Sequence, residues 1–203
     1  MEGGLATAEL LAGEGNPSGK LSDTFARELH DYPSTYNFHE SEKYVEYTDD
    51  IYVGYRYFET IPGALAKVNY PFGFGLSYTQ FDWQVVSVSE KLGQLLVQVD
   101  LTNVGKRPGK EVLQVYGMAP QGKLGKSKRH LLVFEKSRLL QPGETQRLRL
   151  AWKMEDMASY DDLGKVKKSA YVLEQGDYFF YLGNSVENVE KLDHTCLLYT
   201  SDA

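Results

Sequence analysis

The 203-residue chain is 42 % hydrophobic and 25 % charged, the balance of a globular protein and not of a disordered one. Its 22 basic against 28 acidic residues leave a net charge of −6, poor electrostatics for wrapping a phosphate backbone, so no nucleic-acid partner is expected. No stretch approaches the roughly 18–20 apolar residues of a membrane span, and the first ten residues carry no basic run ahead of an apolar core, so neither a membrane partner nor a signal peptide is read.

In chain order, residues 5–12 are good helix formers, and Gly13 and Gly15 follow as stop signals. Asn16-Pro17-Ser18-Gly19 is a turn by composition, and Tyr32-Pro33-Ser34-Thr35 prolongs an irregular path. Residues 51–58 have strand composition, rich in Tyr, Val, Ile and Phe. Residues 70–78 cannot form a regular element: their glycines permit positive φ or close backbone contact, and their aromatic rings must pack on something.

Residues 81–185 read as all-β. Leu95, Val97, Val99 and Leu101 fall on one face of a period-2 pattern, and Asn103-Val104-Gly105 marks the turn after them. Residues 110–116 form the next strand, whose apolar run leaves its inward face unassigned. Gln141-Pro142-Gly143-Glu144 is a turn signal, after which Leu148, Leu150 and Trp152 alternate with Arg147, Arg149 and Ala151. Residues 153–158 allow one helical turn, and Gln175-Gly176-Asp177 precedes an aromatic strand at 178–182 that Gly183-Asn184 closes. Short strands between turn signals, with no long helix, predict a mainly β fold with a seven-strand-type sandwich. Residues 186–203 break the pattern. From about Leu192 there is no turn logic and no obvious partner strand, and residues 196–203 resemble translated sequencing-adapter sequence. This tail is expected to be disordered or foreign, with a genuine frayed terminus as the alternative.

Several stretches together carry a family resemblance. Asn16-Pro17-Ser18-Gly19-Lys20-Leu21, Thr24-Phe25 and Asp31-Tyr32-Pro33 resemble the closing segment of the α/β sandwich domain of glycoside hydrolase family 3. Residues 53–58 and 70–78 are similar to the next two landmarks of that family. Thr102-Asn103-Val104-Gly105, residues 109–116, residues 140–145 and Gly176-Asp177-Tyr178 resemble its fibronectin type III-like domain. Ser22-Asp23 departs from the pattern, standing where the family often has Pro and a hydrophobic residue. The resemblance implies three regions: 1–80, the terminal segment of an α/β sandwich domain with an irregular linker; 81–185, a fibronectin type III-like (immunoglobulin-like) β-sandwich; and 186–203, the tail.

The resemblance also implies an activity, but not one housed here. Family members retain anomeric configuration with an Asp nucleophile on a barrel domain and a Glu acid/base usually in an earlier part of the sandwich domain, and neither surrounding motif occurs in this sequence. No catalytic residue is therefore assigned, the substrate-binding residues stay unknown, and no cofactor is implied. The chain is expected to be an accessory piece of a retaining, exo-acting, β-glucosidase-like β-glycosidase and inactive alone; a β-linked saccharide or aryl glycoside is met by the parent's catalytic domains. The chain is expected to be a fragment whose barrel either precedes or follows it; residues 36–44 resemble a bacterial subgroup in which the barrel follows the fibronectin-like domain, and that order would place the loss where the tail begins. The alternative is a non-catalytic sandwich that binds carbohydrate or protein.

Retaining hydrolysis needs two carboxyl groups roughly 5–5.5 Å apart across the scissile bond. The clusters Glu40/Glu42/Glu46, Asp49/Asp50, Glu155/Asp156 and Asp161/Asp162 do not promise this, because strand neighbours point to opposite faces and loop pairs are not preorganised. They are read as solvated loop charge. Tyr55-Arg56-Tyr57-Phe58 could line a sugar pocket, since sugar rings stack on aromatics and hydroxyls take charged partners. The favoured reading packs Tyr55 and Tyr57 from one strand face and pairs Arg56 with a carboxylate across a domain boundary. Residues 38–78 are expected to form a layer that docks on a catalytic barrel, and residues 72–75 to act as interdomain glue. Lys123, Lys126, Lys128 and Arg129 are read as a mobile solvated loop. Trp152, in phase with Leu148 and Leu150, belongs to the core face, whereas Trp83 is left open. His30, His39, His130 and His194 are scattered, and the single cysteine, Cys196, excludes an internal disulfide and a multi-cysteine zinc site, so no metal is expected. No base is read beside Cys196 to activate it.

Overall fold

A computed structural model of the chain describes residues 2–198. The N-terminal helix forms as α1 (Glu2–Ala12), and Gly13, at φ 76°, supplies the left-handed residue that ends it. An irregular path follows, tied by the short ribbon of β1 (Phe25–Ala26) with β2 (Val68–Tyr70). Between them the strand expected over 51–58 is absent. Gly54, at φ 56° and ψ −135°, breaks the extended path, and the chain turns into α2 (Tyr55–Thr60). The aromatic composition reflects packing and not a backbone preference. Helical spacing turns Tyr55, Phe58 and Glu59 to one side, so Phe58 is buried and Tyr57 no longer shares a face with Tyr55.

The sandwich is built from β3 (Phe81–Lys91), β4 (Gln94–Asn103), β5 (Val112–Met118), β6 (His130–Lys136) and β7 (Thr145–Lys153), then β10 (Gly176–Gly183) and β11 (Val189–Leu198) after the ribbon of β8 (Ser159–Asp161) and β9 (Ala170–Val172). One sheet runs β3-β4-β7 and the other β11-β10-β5-β6, all pairs antiparallel. Six of these strands fall within the expected 81–185, and the seventh, β11, lies in the stretch read as tail, so the sandwich runs on to residue 198. Leu95, Val97, Val99 and Leu101 of β4 and Leu148, Leu150 and Trp152 of β7 face Leu113, Val115, Tyr178, Phe180 and Leu182 from the other sheet. Each fully buried aliphatic or aromatic side chain here contributes roughly 1.5–3 kcal/mol. Trp83 packs, partly buried, against this core, and the expected helical turn forms as a 3₁₀ turn at Met154–Met157.

Strand β5 explains why its inward face was illegible. Residues 112–117 are buried on both faces, so polar alternation is lost. Its outer face is covered by the first segment of the chain. The Tyr55 ring lies 6.1 Å from that of Tyr116 and 4.7 Å from that of Phe72. Gly73, at φ 81°, sits so close that an added Cβ would meet the Gln114 amide at 2.7 Å and the Ser185 Cα at 2.9 Å. Val186 donates its backbone N–H to the Phe72 carbonyl at 3.0 Å. Phe72 and Gly73 thus join the first segment to the strands of the sandwich, whereas Phe74 and Gly75 pack within the first segment, against Tyr70 and residues 19–21.

The expectation of a disordered tail is corrected over 189–198. Strand β11 pairs with the exposed edge of β10 from Gly176↔Leu198 to Gly183↔Val189, and Leu192 and Cys196 point into the core. The partner is the hairpin neighbour across the turn that Gly183-Asn184 opens; what hid it is the weak alternation of residues 189–198, where only Leu192 and Cys196 are buried. Residues 199–203 of the adapter-like stretch lie outside the described residues.

Candidate functional site

The first segment is anchored by the residues that carry the family pattern. Asn16 donates its amide to the Pro108 carbonyl at 2.9 Å and accepts from the Tyr78 backbone N–H at 2.8 Å. Lys20 pairs with Glu111 at 2.7 Å, and Lys136 donates to the Ser18 carbonyl at 2.9 Å. These polar contacts join residues 16–20 to the sandwich on one side of the molecule.

On another side, a cleft of about 230 Å³ is lined by Ile51, Arg56, Lys126, His130, Asp156 and Tyr160, among others. Arg56 forms no ion pair among the described residues and lies 5.9 Å from the Tyr55 ring centroid, so the expected pairing of Arg56 with a carboxylate is not seen. The ion pair made from α2 belongs instead to Glu59, which accepts from Arg129 Nη1 at 2.9 Å. Burial, and then the Arg56 guanidinium, hold His130 below its ordinary value.

The cleft contains one carboxylate, Asp156, and two-carboxylate hydrolysis needs a pair. The remaining clusters do not supply the second. Glu40, Glu42, Glu46, Asp49 and Asp50 are exposed, and Asp50 accepts from the Tyr52 backbone N–H. Glu155 pairs with Lys153, and Asp156 accepts from the Lys153 backbone N–H at 2.9 Å. Asp161 corrects its reading as solvated charge. It is fully buried, and its two oxygens accept from the backbone N–H groups of Gly164, Lys165, Val166 and Lys167. Burial alone would push its carboxyl up, but these four donors outweigh burial and hold it at about 2.

The basic stretch is likewise no free loop. Lys126 is 5 % exposed and its ammonium pairs with Glu174, which also accepts from the backbone N–H groups of Lys123 at 2.6 Å and Leu124 at 3.2 Å. Burial pushes Glu174 up, and these hydrogen bonds, led by that of Lys126, bring it below its usual value. Arg129 donates to Glu59 and, at 2.5 Å, to the Val186 carbonyl. Only Lys123 and Lys128 are exposed.

At the opposite edge of the sandwich, Cys196 does have a base beside it: His194 Nε2 lies 3.6 Å from its sulfur, and Glu90 Oε2 lies 3.4 Å from the sulfur and 3.2 Å from the same Nε2. Burial, and then the Glu90 carboxylate, push the thiol up to about 12, the opposite of nucleophile activation. The His194-x-Cys196 spacing was visible in the sequence, but its third member, Glu90, is 104 residues away.

Comparison with known proteins agrees with this geometry. A family model described as the glycosyl hydrolase family 3 C-terminal domain matches residues 1–78, and one for a fibronectin type III-like domain matches residues 111–186. The chain is 59 % identical to beta-glucosidase A of Butyrivibrio fibrisolvens over 96 % of its own length and 25 % of that protein. It is 44 % identical to a beta-glucosidase of Ruminococcus albus over all of its own length and 21 % of that protein. Among solved structures, a beta-glucosidase of Paenibacillus barengoltzii superposes with a TM-score of 0.91 at 52 % identity, covering 98 % of this chain and 22 % of that one. Beta-glucosidase 3B of Thermotoga neapolitana, solved with α-D-glucose, gives a TM-score of 0.83 at 39 % identity over 97 % of this chain and 26 % of that one. The chain thus spans about a quarter of the length of the relatives it matches.

Proposed function

The chain belongs to glycoside hydrolase family 3, and from that premise we propose that it is the accessory portion of a retaining, exo-acting β-glycosidase of the β-glucosidase type. The substrate is a β-linked saccharide or aryl glycoside, held by catalytic domains beyond this span. The observation that carries the reading is where the family-pattern residues go: Asn16, Lys20, Phe72 and Gly73 brace the first segment on β5 and its neighbours, and none of them lines the one polar cleft described above. Bracing of this kind holds a domain boundary stiff, which lets a catalytic pair elsewhere stay preorganised.

Residues 38–78 are the docking layer toward a catalytic barrel. Phe38, Tyr44, Tyr47 and Leu76 are more than half exposed, with Tyr47 at 92 %, a density of bare apolar side chains that an interface covers. Arg56, without an ion pair among the described residues, lines the cleft and is half-buried, and the exposed carboxylates Glu40, Glu42, Glu46, Asp49 and Asp50 give the layer an acidic surface.

The test is an assay of the purified chain with an aryl β-glucoside. No turnover above blank is expected, and turnover abolished by Asp156→Asn overturns the reading. In a full-length relative, alanine at the arginine aligned with Arg56 is expected to lower melting temperature or activity, and no change in either counts against the docking layer. Glycan calorimetry on the chain separates bracing from binding: saturable affinity replaces the first with a carbohydrate-binding module.

A further inference from the structure

We propose that Glu90, His194 and Cys196 form a site for one divalent metal ion of the zinc class, with the fourth coordination position left to water. The site lies at an edge of the sandwich and is independent of the glycosidase reading. Glu90 stands near the end of β3, in one sheet; His194 and Cys196 stand two apart on β11, in the other, so strand alternation puts them on one face.

The geometry is that of ligands. Zinc binds carboxylate oxygen and imidazole nitrogen near 2.0–2.2 Å and thiolate near 2.3 Å, so a tetrahedral ion holds these donor atoms roughly 3.3–3.6 Å from one another. The three separations here are 3.2 Å for Oε2 to Nε2, 3.4 Å for Oε2 to Sγ and 3.6 Å for Nε2 to Sγ. An ion at bonding distance from all three fits with shifts of a few tenths of an ångström. The competing arrangement, a Cys-His-carboxylate relay, requires the carboxylate on the ring nitrogen opposite the thiol. Here Glu90 and Cys196 both approach Nε2, so the donors converge on a point and do not line up in a chain.

The surroundings support a held site with access. The His194 ring stacks on Phe180 at 6.4 Å and 25°, which fixes its plane, and Cys196 is 7 % exposed. Glu90 and His194 keep 39 % and 26 % of their side-chain surface in solvent, which gives an ion its way in. A sulfur and an imidazole beside a single carboxylate favour zinc or cobalt over magnesium or calcium. On binding, the thiol releases its proton to the buffer and the thiolate sulfur takes the metal.

The experiment uses the full chain, stripped with chelator, titrated with zinc chloride by calorimetry and with cobalt(II) chloride by absorbance. One ion per chain is expected, with the cobalt form showing a thiolate-to-metal charge-transfer band and the intense visible bands of four-coordinate cobalt. Glu90→Gln and His194→Ala are each expected to cost more affinity than the roughly 10–100-fold carried by outer-shell partners of metal sites. Cys196→Ser is expected to abolish the charge-transfer band. Glu90→Gln alters a side chain at the surface, so its unchanged melting in chelator keeps the test valid if a core variant at Cys196 fails to fold. The proposal is overturned if no stoichiometric ion binds, or if binding survives all three variants, which would assign the ion to His30, His39 or His130.

Discussion

Arg129 and Glu59, 70 positions apart in the chain, meet at 2.9 Å between Nη1 and Oε2, with side chains 17 % and 3 % exposed. The same guanidinium donates to the Val186 carbonyl and lies 5.2 Å from the Tyr181 ring centroid. One cation thus ties α2 to the loop before β6 and to the β10–β11 turn. Removing it strands a buried carboxylate, and Arg129→Ala is expected to cost about 3 kcal/mol, the low end for a broken buried pair because the guanidinium reaches solvent. Burial, opposed chiefly by Arg129, already pushes Glu59 up. A folded-state value above the unfolded one means that the fold penalises the ionised form, and the penalty fades as pH falls through the raised value. The deficit of Arg129→Ala should therefore be larger at pH 7 than near pH 4. Urea midpoints at the two values check this, and equal deficits contradict it.

Asp161 titrates in the other direction. Its carboxyl sits at about 2 in the fold, below the ordinary value of roughly 3.9 that it takes in an unfolded chain. Its contribution is therefore complete above pH ~4 and is lost as pH falls toward 2. Asp161→Asn replaces a two-oxygen acceptor of four backbone N–H groups with one oxygen and a competing donor. The variant should unfold at lower urea than the parent at pH 7, and the two curves should converge near pH 2. A constant offset across that range would mean that the carboxylate charge is not what orders residues 164–167.

The sandwich core offers a matched pair of deletions. Leu150 is fully buried and sits opposite Val97 in the β4–β7 register, whereas Leu92, in the β3–β4 turn, is 97 % exposed. Leu150→Ala is expected to cost about 2–5 kcal/mol through lost transfer energy and an unfilled cavity. Leu92→Ala removes the same atoms from solvent-exposed space and should stay within about 0.5 kcal/mol. Chemical denaturation of both variants measures the contrast.

The strands that could be read from sequence are those with one wet face. β4 and β7 alternate because their outer residues, such as Gln98 and Arg149, meet water, and the period-2 pattern survives. β5 hides its pattern because Tyr55, Phe72 and Gly73 cover it from outside, a contact between positions more than forty residues apart. The aromatic run at 51–58 misleads for a related reason: Tyr55 packs on Tyr116 of β5 and Phe58 on Tyr32, and the helix that aims them begins at a glycine whose dihedral angles no composition reveals. Lys126 and Arg129 looked solvated because their partners, Glu174 and Glu59, lie 48 and 70 positions away. Local pattern carries local structure, and the ion pairs of Lys126 and Arg129 are long-range, whereas the donor cluster of Asp161 is local, three to six positions along the chain, and was hidden only by its burial.

Strand β11 yields the sharpest test of that point, since residues 186–203 read as a disordered or foreign tail. Ending the chain after residue 185 removes Leu192 and Cys196 from the core and bares the N–H and C=O groups of β10 along one side. Losing one fully buried leucine alone forfeits roughly 1.5–3 kcal/mol, and a bared edge running past Phe179 and Tyr181 is a template for pairing with another chain. The chain ending at 185 is therefore expected to melt several degrees lower than one ending at 198, and to associate at concentrations where the longer chain stays monodisperse. Thermal melts and light scattering compare the two directly. Coincident melts and equal scattering would mean that β11 contributes no packing energy and that the sandwich closes with β10 as its natural edge.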